Sequence, residues 1–277
     1  MAHRKTFPNR RRGPQTQQRR PQGRDRSDAR ERNIAPSHLV VGRNAVSELL
    51  QHRADSIKRV LYAAGERDAR LLSALDQARA LGLELSELTP QALSAMLQTT
   101  SHQGLAAELK SRTFYDLKWL LARSEEDSES LVLLLDSIND PHNFGAILRV
   151  AECFGAAAVV ISPNRGCGIT PAVTKTSAGA SELVPIVQVS NLSEAQRRLS
   201  KAGFSAIAAD VDSQAVPLTN FTFPSKTLLM LGSEGEGLQP LLKREAEYVL
   251  KIPLFGKIQS LNVAQAAAVL LYAARRR

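Results

Sequence analysis

Thr227-Leu228-Leu229-Met230-Leu231-Gly232-Ser233-Glu234-Gly235-Glu236-Gly237 is an apolar run that ends in three glycines and two carboxylates. An apolar run without alternation reads as a strand buried on both faces. Four more runs share this character, at Leu131–Leu135, Ala157–Ile161, Ala206–Ala209 and Tyr248–Ile252. Helical spacing falls between several of them, over Asn143–Phe154, Leu192–Ala202 and Gln239–Glu245, and a last helix is expected over Asn262–Ala274. Buried strands alternating with helices predict an α/β fold with a mostly parallel sheet covered on both faces. Ligands of such sheets sit beyond the carboxyl ends of the strands. The glycine loop after Leu231 and the turn Pro253–Gln259 after Ile252 both fall there.

Upstream, residues 38–110 mix shorter pieces: Leu39–Val41, Asn44–His52, Ile57–Ala63, Asp68–Leu81 and Leu105–Leu109, punctuated by Gly42, Gly65, Gly82 and Gly104. They predict a small α/β domain of their own. Residues 111–130, with Glu125-Glu126-Asp127 near the end, read as a linker carrying a short helix around Trp119. The second domain is then 131–277. Residues 1–37 are rich in Arg, Gln, Pro and Gly and hold too few apolar groups to offset ordering entropy, so a disordered basic tail is expected there. Eleven basic against three acidic residues give this tail +8 of the chain's formal +9, so the body is close to neutral. Such a tail attracts phosphates without reading sequence, or serves only for solubility.

Two cysteines, Cys153 and Cys167, are too few for a disulfide framework or a cysteine-built zinc site. The five histidines show no metal-ligand spacing, and no metal is expected. No apolar run approaches the roughly 20 residues that cross a bilayer, and no secretory signal opens the chain, so a cytoplasmic protein is expected.

Three constellations offer chemistry. The first is Asp136-Ser137-Ile138-Asn139-Asp140-Pro141-His142-Asn143-Phe144-Gly145, leading to Arg149. Gly145 and Arg149 are four apart, which on a helix leaves open space beside a guanidinium where an anion fits. The plainer reading has Asp140 or Asn143 capping the helix and Arg149 paired with a surface acid. The second is the glycine loop itself. Its G-x-x-G-x-G order reverses the dinucleotide fingerprint and no Walker sequence occurs; Glu234 fits a carboxylate held at a turn beside a cavity, and the plainer reading is a turn leading into a helix. The third is Ser260-Leu261-Asn262 before the last helix, with Ser260 as the expected N-cap.

Together, Asn143-x-Gly145-x-x-x-Arg149, Leu231-Gly232-Ser233-Glu234-Gly235-x-Gly237-Leu238 and Ile252-Pro253-x-x-Gly256-x-x-Ser260-Leu261-Asn262-Val263 resemble, in order and spacing, the three motifs of the SpoU (TrmH-like) branch of the SPOUT methyltransferases. The resemblance covers roughly Leu131 to Tyr272. Val41-Gly42-Arg43-Asn44-Ala45-Val46 and His102-Gln103-Gly104 extend it upstream, because they resemble the substrate-binding domain of the family's ribosomal guanosine 2′-O-methyltransferases. Ile258 in place of a usual valine, and Ala264-Gln265 where a serine is common, are departures that touch packing more than chemistry.

The resemblance implies an α/β trefoil-knot domain that holds S-adenosylmethionine, an N-terminal domain similar to ribosomal protein L30e that docks RNA, and a homodimer with shared active sites. It implies cofactor contacts at Gly232, Ile252 and Leu261 and a catalytic set of Asn143, Arg149, Glu234, Ser260 and Asn262, with Arg149 the family's proposed base. An arginine normally stays protonated, so a bidentate contact to phosphate is its more ordinary use. Thr176-Ser177-Ala178-Gly179-Ala180 resembles a family segment on the RNA-facing side, whose small residues would let a nucleotide approach. The implied activity is methyl transfer from S-adenosylmethionine to a ribose 2′-OH, of a guanosine in 23S rRNA or a large-subunit assembly intermediate. The alternatives are the same chemistry on tRNA and a non-catalytic RNA-binding or assembly factor.

Overall fold

The structure, a computed structural model, describes Met1 and residues 38–66, 68–212 and 214–276. The basic tail expected over 1–37 lies outside the described residues from residue 2 onward.

The first sheet contains β1 (Leu39–Val41), β2 (Ile57–Ala63), β3 (Glu84–Leu88) and β4 (Leu105–Leu109) in the order β1-β4-β2-β3. Only β2 and β3 run parallel. Successive side chains of a strand point to opposite faces, so each face has its own core. Helices α1 (Arg43–His52) and α2 (Ala69–Ala80) bury Val46, Leu49, Leu71 and Leu75 on the face of Val60 and Ala107. Helix α3 (Pro90–Leu97) buries Leu93 and Leu97 on the face of Val41, Leu61 and Ala106. The sequence pattern singles out neither β3, an edge strand with no fully buried side chain, nor α3, which starts at the Thr89 cap with Pro90 in its first turn.

Glu108 points from β4 into the α3 side and is 5% exposed. Burial raises the pKa of its carboxyl, but Lys58 Nζ and Arg59 Nε, each donating at 2.6 Å, outweigh this and hold it below the usual glutamate range. A carboxylate depressed in the folded state stabilises above its unfolded pKa, and the contribution is lost as pH falls through the folded value. Glu108→Gln is therefore expected to destabilise the protein by about 3 kcal/mol at neutral pH. The deficit should shrink in acid unfolding curves below the ordinary glutamate range; a pH-independent deficit would contradict the ionic role.

The second sheet has seven strands, β5 (Ser130–Leu135), β6 (Ala158–Ile161), β7 (Ile186–Gln188), β8 (Ser205–Ala209), β9 (Val216–Pro217), β10 (Lys226–Leu231) and β11 (Tyr248–Lys251). Their order is β7-β6-β5-β10-β8-β11-β9, and every neighbouring pair is parallel, as the continuous apolar runs predict. Leu131, Leu133, Leu229 and Leu231 face α5 (Pro141–Cys153), α6 (Pro171–Thr176) and α9 (Val263–Arg275). Val132, Leu134, Leu228 and Met230 face α4 (Leu117–Glu126), α7 (Leu192–Lys201) and α8 (Pro240–Arg244).

Within the segment 111–130, the Tyr115 N–H donates to the Ile186 carbonyl and the Gln188 N–H donates to Tyr115, both at 2.9 Å. Leu117 and Leu120 of α4 enter the core on the face of Val132 and Leu134. This part of the segment is thus packed into the second layer. The topology matters most at the end of the chain. β11 lies beyond β8, yet α9 packs against α5, which follows β5 on the other side of β10. Residues 252–262, which carry neither helix nor strand, therefore cross back over the carboxyl ends of β8 and β10.

Candidate active site

The glycine loop closes on itself. A Cβ built on Gly232 would stand 2.1 Å from the Gly237 carbonyl carbon and 2.3 Å from the Leu238 nitrogen, so no side chain fits there. Gly237, at φ +68, turns the chain so that its N–H donates to the Ser233 carbonyl at 3.0 Å. The far end of the loop is held by Asp136, 1% exposed. Its carboxylate accepts from Gln239 N at 2.8 Å, Gln239 Nε2 at 3.1 Å, Arg165 Nε at 3.0 Å and Ser137 Oγ at 3.0 Å. Four donors satisfy this buried charge and tie the loops after β5, β6 and β10 together.

Beside the loop lies a cavity of about 310 Å³. Its floor is apolar, made by Leu231, Leu250, Ile252, Leu254 and Leu261 with Val263, Ala266 and Leu270 of α9. Polar groups stand around it at Asp210, Ser233, Glu234, Glu236 and Ser260. Gly232, Ile252, Leu261, Glu234 and Ser260, all singled out in the sequence, line this one space.

Glu234 joins the three motifs. Its Oε1 accepts from Asn143 Nδ2 at 2.9 Å, Asn262 Nδ2 at 2.6 Å and Val263 N at 3.4 Å, and Asn262 Nδ2 also donates to Asn143 Oδ1 at 2.8 Å. Asn143 starts in the first turn of α5, Glu234 follows β10, and Asn262 opens α9. A carboxylate, two amides and a helix N-terminus thus meet at one side of the cavity.

Two expectations are corrected. The cap of α9 is Asn262, whose Oδ1 accepts from Ala264 N at 2.9 Å; Ser260 lies two residues too early and instead lines the cavity with an exposed side chain. The space beside Gly145 is not open to an anion. A Cβ there would stand 2.8 Å from Thr176 Cβ and 2.9 Å from the Val173 carbonyl oxygen, so the glycine allows α5 and α6 to touch. Of the two caps weighed for α5, Asp140 serves, accepting from His142 N at 2.8 Å. Arg149 is exposed, lies outside the cavity lining and is not joined to the Asn143–Glu234–Asn262 cluster.

The upstream motifs interlock as well. Arg43 N donates to Gln103 Oε1 at 3.1 Å and Arg43 Nε to the Gln103 carbonyl at 2.8 Å. His102 is buried between Ser94 Oγ, 2.9 Å from Nε2, and Gly104 N, which donates to Nδ1 at 3.0 Å. Burial lowers its pKa, with Glu66 opposing and Lys175 adding to the shift. These residues abut α6 and the segment after it: Val41 N donates to Thr174 Oγ1 at 3.3 Å, and a Cβ on Gly179 would stand 3.0 Å from the Ala45 carbonyl oxygen. Small residues at 176–180 therefore serve close packing with α1 and α5. Arg53 Nη1 donates to the Glu182 carbonyl at 3.0 Å, and a buried ion pair joins Arg112 to the Glu182 carboxylate.

Sequence reasoning passed over Asp210 and undervalued Asp136. Each is a carboxylate directly after a buried strand, which in a parallel sheet is a usable signal. Among the described residues, no three His, Cys, Asp or Glu side chains are grouped to hold a metal ion, and no helix is long and apolar enough to cross a membrane.

Residues 130–272 match the SpoU rRNA Methylase family, and residues 39–115 match RNA 2′-O ribose methyltransferase substrate binding. The 23S rRNA (guanosine-2′-O-)-methyltransferase RlmB of Xanthomonas campestris pv. campestris is 36% identical over 240 residues, covering 86% of this chain and 95% of that protein. Its counterpart from Ralstonia nicotianae is 35% identical over 244 residues, covering 88% and 97%. Among solved structures, the SpoU methyltransferase AviRb from Streptomyces viridochromogenes in complex with AdoMet superposes with a TM-score of 0.70 at 23% identity, over 86% of this chain and 89% of that one. With the three motifs joined at Glu234 beside one cavity, and the two family matches covering one sheet each, the chain belongs to the SpoU rRNA methylase family.

Proposed function

We propose that this protein transfers a methyl group from S-adenosylmethionine to the ribose 2′-OH of a guanosine in 23S rRNA. The observation that carries the reading is the meeting of Asn143, Glu234 and Asn262 at the side of the cavity. The cavity suits the cofactor: its volume is in the range of small-molecule sites, its floor offers apolar contact for an adenine, and Ile252–Leu261 presents backbone outside any helix or strand. Gly232, Ile252 and Leu261 would hold the cofactor, which supplies a methyl group already activated on a sulfonium centre.

The protein's own work is then alignment and proton management. Glu234, fixed by three donors, orders the side of the pocket, and Asn143 presents its amide to the incoming ribose. Ser260 lines the cavity ahead of α9, and Asn262 caps that helix while holding Glu234 in place. Arg149 is required for transfer. Its exposure, away from the cluster of its own chain, fits an active site completed across a homodimer. Phe255, 97% exposed, and Ile258, 79% exposed, on the segment that walls the cavity, support such a dimer, as do the exposed Val269 and Tyr272 on α9. The return of residues 252–262 across β8 and β10 supports a trefoil knot. Residues 38–110 would dock the RNA as an L30e-like domain and residues 131–277 would carry out transfer, with 23S rRNA or a large-subunit assembly intermediate as partner in the cytoplasm.

Incubation with labelled S-adenosylmethionine and separated RNAs tests the substrate. Label is expected in 23S rRNA; label in tRNA alone would sink the assignment. Arg149→Ala is expected to reduce transfer at least about 100-fold, while cofactor affinity stays unchanged because Arg149 does not line the cavity. Unchanged transfer would remove Arg149 from the site.

A further inference from the structure

We infer that Asp210 contacts the cofactor, its carboxylate accepting a hydrogen bond from a ribose hydroxyl of the adenosyl group. This rests on the methyl-transfer reading above and adds a residue that none of the three motifs contains. Asp210 follows β8, and its N–H donates to the Leu250 carbonyl at 3.0 Å, so its backbone is fastened to β11 at the carboxyl edge of the sheet. It lines the cavity, with its side chain 22% exposed.

The carboxylate is held from behind. Lys243 Nζ stands 2.9 Å from Asp210 Oδ2 and 2.9 Å from Asp212 Oδ2. Bonds to Asp212 and Asp210 raise the lysine's pKa, so it remains an ammonium, while the Gln214 N–H and Lys243 lower that of Asp212. Lys243 is shared between the two carboxylates, the Lys251 charge also acts on Asp212, and Asp210 Oδ1 has no partner among the described residues. An ionised carboxylate accepts several hydrogen bonds, so Oδ1 is available to a donor in the cavity.

The other cavity acids are placed differently. Glu234 spends Oε1 on Asn143 and Asn262, and Glu236 sits exposed on the glycine loop. Asp210 alone among them stands at a strand end with a fixed cation behind it, the kind of rigid support that a binding group needs. Because Lys243 already neutralises part of its charge, Asp210 suits a neutral hydroxyl donor better than the cofactor's ammonium.

The test is equilibrium binding to the full chain, by calorimetry, of S-adenosylhomocysteine and of 5′-methylthioadenosine, which keeps the ribose and lacks the amino acid. Asp210→Ala is expected to weaken both probes at least tenfold and by a similar factor. Asp212→Ala, which also takes a partner from Lys243 but does not line the cavity, is expected to stay within twofold of wild type. Wild-type affinity in Asp210→Ala would overturn the inference. So would an equal loss in Asp212→Ala, which would make the three charges a structural strap. A loss confined to S-adenosylhomocysteine would place the carboxylate on the ammonium and overturn it too. If the wild-type protein bound neither probe, the methyl-transfer reading would fall and this inference with it.

Discussion

Gly232→Ala is expected to abolish cofactor binding and to lower the unfolding midpoint by roughly 10 °C, corresponding to about 3 kcal/mol of overpacking in a domain of this size. The reason is local and rigid. The new methyl would meet the Gly237 carbonyl carbon at 2.1 Å, its oxygen at 2.2 Å and Leu238 N at 2.3 Å, all of them backbone atoms. A flexible side chain could swing aside, but this backbone is fastened on both sides. Leu231 accepts from Asp136 N at 2.9 Å, and Asp136 Oδ2 holds Gln239 N at 2.8 Å. Relief must therefore move the loop, and with it Glu234 and the cavity wall. Gly235→Ala is the matched control, since a Cβ there meets nothing within 4 Å. Thermal unfolding and S-adenosylhomocysteine binding would separate the two variants. Equal behaviour would mean that the Gly232–Gly237 crossing is not a constraint in solution.

The same contrast shows what the sequence could and could not reveal. The buried strands β5, β6, β8 and β10 were legible because both their faces are covered, which leaves a continuous apolar run. β7, three residues long, and α6, six residues long, carry too little pattern for either period to register. That gap had a consequence at Gly145. With α6 invisible, a glycine that admits a neighbouring helix looked like space for a ligand. The cap of α9 failed for a related reason. Ser260 and Asn262 both suit an N-cap, and what selects Asn262 is its Nδ2 bond to Glu234, 28 residues earlier in the chain. Long-range partners decide such choices, and a local reading does not contain them.

Glu234 is where the fold and the proposed chemistry depend most on one atom. Three donors converge on Oε1, from Asn143 Nδ2, Asn262 Nδ2 and Val263 N, and a full negative charge is the acceptor that suits such crowding. Glu234→Gln keeps the shape but offers a weaker oxygen, and if the amide flips it sets Nε2 against the same donors. Turnover is expected to fall about 100-fold. Asn262→Ala should fall comparably and also lose about 1 kcal/mol of stability with the helix cap. The floor explains why the effects go together: Val263, Ala266 and Leu270 belong to the helix that Asn262 starts, so loosening the cap moves the cavity itself. Residues that act as one unit give non-additive losses. The double variant Asn143→Ala with Glu234→Ala is therefore expected to be scarcely worse than Glu234→Ala alone. Full additivity, measured as kcat/KM in the four corners of the cycle, would mean that the two side chains serve the reaction separately and that their 2.9 Å contact is incidental to it.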